Sequence, residues 1–172
     1  SSNGQGGLVA RSHAHLRPRT GREAPSSTRL IGTRHARHSA QARACGMKSV
    51  LVDTSVWVTH FKQYNEALTR LLEMDRAMTH PMVLGEIACG TPPDRARTLL
   101  DLADLRPAQQ ASLREVMAFM ERESIYGIGC GLIDLMLLAS VLITPDTELW
   151  TLDKRLAALA QRFGVLHEPT LH

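Results

Sequence analysis

An α/β domain, built as a three-layer α/β/α sandwich on a short, mainly parallel central sheet, is the fold class that the sequence predicts. Three observations carry this. Short aliphatic runs at residues 50–52, 77–79 and 149–152 alternate with stretches whose apolar residues recur at helical spacing. The first and last runs lead straight into residues that cap helices, Asp53-Thr54-Ser55 and Asp153. The composition, 44% hydrophobic but only 4% aromatic, provides a core of Leu, Ala and Val, and 172 residues suffice for one such domain.

Element by element, the β-branched run at 50–52 is a strand that enters a helix. Leu68, Leu71 and Leu72 mark a second helix, and residues 77–79 a short strand. Pro81 suits the first turn of a helix that continues over 82–89. Asp94 is expected to cap a helix with the apolar face Ala96, Leu99, Leu100 and Ala103. Ser112 and Glu115 form a capping box ahead of Leu113, Val116, Met117 and Met120. Gly127-Ile128-Gly129-Cys130-Gly131 reads as a turn, since the GxGxxG spacing and preceding strand of a dinucleotide site are missing. An almost wholly apolar helix follows over 132–143, then the 149–152 strand, then Leu156, Leu159, Ala160 and Phe163 at helical spacing with Gly164 as terminator. Val165 and Leu166 are candidates for a last edge strand.

Charge is unevenly spread. Residues 1–46 hold eight Arg, no Lys and one acid, Glu23; their +7 leaves −4 on the remainder of a chain whose net charge is +3. Overall charge therefore carries no argument for nucleic-acid binding. The segment has no aromatic residue and no apolar periodicity, and reads as a disordered basic leader. A true start at Met47 accounts for it best; a nucleic-acid-binding tail and an organelle transit segment are the other readings. Residues 47–172 then form the globular domain. Cys45, Cys89 and Cys130 are odd in number and lack ligand spacing, which fits a cytoplasmic protein. The 132–143 run, interrupted by Asp134 and Ser140, is too short to span a membrane.

Four acids occupy unusual places. Asp53 and Asp153 follow strands, where capping alone would explain them. Glu86 has only the uncharged Met82, Val83, Cys89 and Gly90 at helical spacing around it; it is either a paired carboxylate or one that reaches solvent from the margin of the stripe. Asp134 is the single charge between Gly131 and Ile143, and a carboxylate there is either a first-turn dipole partner or a functional group with a raised pKa. Thr151, two residues before Asp153, can orient a carboxylate or a bound water. Because sheet topology brings strand ends and following helices to one edge, these acids converge, and clustered carboxylates stay ionised around a hard cation such as Mg²⁺ or Mn²⁺.

Asp53-Thr54-Ser55, Val83-Leu84-Gly85-Glu86-Ile87, Ile133-Asp134-Leu135-Met136 and Trp150-Thr151-Leu152-Asp153-Lys154-Arg155 resemble the acidic motifs of PIN-domain nucleases, and among these the VapC toxins of bacterial toxin–antitoxin pairs. The resemblance covers about residues 47–168. It implies a PIN-like fold and hydrolysis of RNA to 5′-phosphate and 3′-hydroxyl ends. In it Asp53, Glu86, Asp134 and Asp153 would be metal ligands and, with Thr151, the catalytic set. It also implies an antitoxin that inserts a basic arm into the site, and a homodimer, for which Trp57 and Phe61 are interface candidates if they are not core. Ile128 stands where similar toxins often carry a basic residue. Lys48, Lys154 and Arg155 are candidate phosphate contacts, and His60 and His80 candidate general acids or structural residues. The rival from another class is a non-catalytic PIN-like scaffold that binds RNA or protein.

Overall fold

The computed structural model describes residues 46–169, so the leader expected over 1–46 lies, Gly46 apart, outside the described residues. The first strand, β1 (Ser49–Val52), buries Val50, Leu51 and Val52 completely. Successive strand residues face opposite sides, so a run without an exposed member requires cover on both faces of the sheet. With β2 (Ala77–Thr79), β3 (Arg106–Pro107) and β4 (Thr147–Trp150) it forms a parallel sheet in the order β3-β2-β1-β4. Val50 stands opposite Ala77 on one side, and Val52 opposite Trp150 on the other.

This order places a reversal at the seam between β1 and β4. The chain moves from β1 outward through β2 to β3, then crosses back to the other side of β1. In open parallel sheets the helices on either side of such a reversal diverge and leave a crevice outside the carboxyl ends of the strands. The sheet is flanked by α1 (Thr54–Lys62), α2 (Glu66–Glu73), α3 (Pro81–Cys89), α4 (Arg95–Ala103), α5 (Leu113–Glu123), α6 (Leu132–Ile143) and α7 (Lys154–Arg162). Asp53 and Asp153 cap α1 and α7, Pro81 opens α3, and Ser112 with Glu115 closes the capping box of α5, as expected.

Several expectations need correction. Asp94 makes no side-chain cap; its backbone has φ 41° and ψ 60°, and Thr98 Oγ1 instead donates to the Pro93 carbonyl at 2.5 Å. On α4 the buried residues are Thr98, Asp101 and Leu102, whereas Leu100 is exposed. The Thr98 bond and the 2.9 Å Arg97–Asp101 ion pair satisfy the polar members, which lets them face inward. On α5 the buried pair is Val116 and Phe119, with Phe119 against Phe163, and both Leu113 and Met117 point outward. The last strand spans 147–150, so Thr151 lies just beyond it, and Leu166 adds a single parallel bridge to Leu149. Trp57 is 1% exposed within the core and Phe61 stacks on it, which removes Trp57 from any interface.

Candidate active site

The crevice at the β1/β4 seam is built by Asp53 and by residues 151–153. The Asp53 backbone N–H donates to the Trp150 carbonyl at 2.9 Å, the last rung joining the two strands. Its buried side chain accepts at Oδ2 from Ser55 Oγ at 2.5 Å and from Thr151 Oγ1 at 2.8 Å. Each hydroxyl also receives a backbone N–H, Ser55 from Leu152 at 3.0 Å and Thr151 from Asp153 at 3.0 Å. Two strand ends that are distant in sequence are thereby stitched through one carboxylate.

Asp153 uses Oδ1 to accept the N–H groups of Arg155 and Leu156, both at 2.9 Å, at the start of α7. Asp134 is on the first turn of α6, where its Oδ2 accepts the Gly131 N–H at 2.8 Å. Burial raises the Asp134 pKa above the ordinary carboxylate value, and the charges of Asp153 and Asp53 add to this against the opposing Gly131 bond. Asp153 and Asp53 are thus both within electrostatic reach of Asp134. Cys130 stands beside them: burial first, then Asp134 and Asp153, push its thiol pKa up, so it remains neutral.

Glu86 joins from the other side. It is exposed on α3 between the buried Val83 and Ile87, and its Oε2 accepts from Thr54 Oγ1 at 2.6 Å, one residue beyond Asp53. All five sequence-derived residues therefore border the same sheet edge. Asp53, Thr151 and Asp153 are joined by hydrogen bonds, Asp134 by its field, and Glu86 through Thr54. Each acid commits one oxygen to a local bond, while Asp53 Oδ1, Glu86 Oε1, Asp134 Oδ1 and Asp153 Oδ2 carry none among the described residues.

Residues 50–162 match the family described as PIN domain. The chain is also 39% identical over 116 residues to Ribonuclease VapC32 of Mycobacterium tuberculosis, in strains CDC 1551 / Oshkosh and ATCC 25618 / H37Rv; the match covers 67% of this chain and 94% of the relative. The chain belongs to the VapC ribonucleases of the PIN domain family.

For a VapC-family chain the donor chemistry fits a hard divalent cation, since the free donors are carboxylate oxygens and no histidine is among them. Still, among the described residues no three His, Cys, Asp or Glu side chains already form a cation cage. The histidines are engaged elsewhere: His60 Nδ1 accepts the Asn65 N–H, and His80 Nδ1 accepts the Met82 N–H, each at 3.1 Å. Lys48 pairs with Glu148 at 3.1 Å, Arg155 donates to the Gly129 carbonyl at 3.0 Å, and Lys154 is exposed. Thr54 and Ser55 are the residues that the sequence did not single out as part of the site. Their only sequence signal was membership of a helix-capping triplet.

Proposed function

We propose that this VapC-family chain hydrolyses RNA phosphodiester bonds with a divalent cation, Mg²⁺ or Mn²⁺, held by Asp53, Glu86, Asp134 and Asp153, and serves as the toxin of a toxin–antitoxin pair. The observation that carries this reading is the oxygen on each of the four acids that carries no bond among the described residues, together with the raised pKa of Asp134, caused first by burial and then by the charges of Asp153 and Asp53. A partly buried carboxylate such as Asp134, with two further acids in reach, is costly to ionise until a cation neutralises it. When bound, a cation of this kind supplies an activated water and compensates charge developing on the phosphate.

The chain's own residues have separate tasks. Ser55 and Thr151 aim Asp53, so that Oδ2 is fixed and Oδ1 is presented. The Gly131 N–H aims Asp134, and Thr54 aims Glu86. The α7 cap does the same for Asp153 and leaves Oδ2 for the cation or its water. RNA supplies the substrate charge, and the cognate antitoxin is proposed to lay a basic arm across the acids, where an Arg can pair with a carboxylate in bidentate fashion. A homodimer belongs to the same proposal, checked by light scattering across a concentration series; a monomer throughout would remove it.

The test uses the full chain stripped of metal and incubated with total RNA, with and without Mg²⁺ or Mn²⁺. Cleavage only with the cation, yielding 5′-phosphate ends, supports the reading. RNA left intact under all conditions would favour the non-catalytic scaffold, and equal cleavage in chelator would remove the cation from the mechanism.

A further inference from the structure

Residues 127–131 form the second part of the connection from α5 to α6 and deliver the Gly131 N–H to Asp134. Gly127 and Gly129 have φ of +71° and +83°, a region where side-chain-bearing residues are strained, and both are exposed. Within this loop Gly127, Ile128 and Gly129 are exposed, and Cys130 is the member that packs, partly buried, against the core. The Arg155 guanidinium supplies a hold: Nη1 donates to the Gly129 carbonyl at 3.0 Å, and a Cβ on Gly129 would lie 2.7 Å from Nη1 and 2.9 Å from Cζ. Gly129 is therefore required twice, for its φ and for the room its missing side chain leaves to Arg155. The same Arg155 donates its backbone N–H to Asp153 Oδ1 at 2.9 Å. One residue thus touches Asp153 with its main chain and the loop that aims Asp134 with its side chain.

We propose that Arg155 is a positioning residue whose guanidinium clamps loop 127–131 through Gly129 and so sets Asp134 relative to Asp153. This deepens the reading of these acids as cation ligands and rests on it. The competing role, a direct contact with an RNA phosphate, makes a different forecast. The sign of one effect separates the two. Removing a positive charge beside carboxylates, by itself, strengthens cation binding, whereas losing the clamp weakens it by misplacing Asp134.

The experiment uses the full chain with Arg155→Met, Arg155→Lys, Gly129→Ala and the Arg155→Met/Gly129→Ala double variant. Hydrogen exchange at the Gly131 amide is measured without cation, Mn²⁺ affinity by titration, and RNA binding across a salt series. The clamp predicts faster Gly131 exchange in Arg155→Met and an affinity for Mn²⁺ lower by about tenfold, the scale for a supporting residue behind a metal ligand. It predicts the same for Gly129→Ala, which displaces the guanidinium. The double variant should be no worse than the single ones, and Arg155→Lys should recover part of the loss. The salt dependence of RNA binding should not change. Unchanged Gly131 exchange, or unchanged or tighter Mn²⁺ binding, in Arg155→Met overturns the proposal; a salt slope lowered by about one assigns Arg155 to a phosphate instead. If the parent chain binds no Mn²⁺, the cation reading fails and the exchange result alone decides the clamp.

Discussion

Ser55 and Thr151 each have one hydroxyl proton, and each accepts a backbone N–H, so both protons are directed to Asp53 Oδ2. Removing one donor leaves Asp53 half-aimed and the Asp153 N–H without its acceptor. Thr151→Val should therefore lose about 1–2 kcal/mol of stability in urea unfolding and lower kcat on RNA with KM little changed. Unaltered stability would mean that water replaces the hydroxyl at no cost. At Asp134 the balance is opposite, because burial and two neighbouring acids already disfavour its charge. Asp134→Asn should abolish cleavage while the metal-free unfolding midpoint at pH 7 stays level or rises; cleavage at the parent rate would remove Asp134 from the site. The acids were legible in the sequence because a carboxylate on an apolar stripe or at a strand end is conspicuous. Ser55 was not, since its partner Leu152 is 97 residues away and a hydroxyl beside Asp53 already has a local explanation as a cap.

His80 caps α3, and its ring also ties that helix to α6. Nδ1 accepts the Met82 N–H, which leaves the proton on Nε2 to be donated to Ser140 Oγ at 3.1 Å, and the residue is 1% exposed. Burial lowers its pKa below the ordinary 6.5. The folded state therefore favours the neutral ring; the stability this contributes is complete above pH 6.5 and declines as pH falls toward the lowered folded value. Unfolding midpoints should be flat from pH 8 to 7 and fall toward pH 5. His80→Asn, which can still cap, should reduce that slope, with the part-buried His60 accounting for some of the rest. An identical slope in the variant would show that His80 is not the group responsible. The apolar stripes of α2 and α7 are legible in the main: Leu68 and Leu71, and Leu156, Leu159 and Ala160, are buried as their spacing implies, while Leu72 and Phe163 are half-buried and Thr69 is buried beside them. The faces of α4 and α5 are not legible, because burial there follows satisfied polar groups and the Phe119–Phe163 contact. β3 has two residues, one of them a proline, and offers no alternation to detect.

At the scale of the molecule, the sheet begins at Ser49 and every buried core residue among those described lies at or beyond Val50. A chain starting at Met47 is accordingly expected to keep the unfolding midpoint and the RNA cleavage of the full chain; a clear fall in either would give residues 1–46 a role. Among the described residues no helix is long and apolar enough to cross a membrane. The parallel order β3-β2-β1-β4 also has a consequence in time. The first acid, Asp53, emerges early in synthesis, but its partner Thr151 follows 98 residues later, and Asp153 later still. No local fragment can assemble the seam, so a chain under translation stays harmless to the message that encodes it until nearly all of the domain has been made. Premature stop codons anywhere between Met47 and Asp153 should then disarm the gene equally, and survivors of a selection against its toxicity should carry them along that whole stretch, not clustered at the acids.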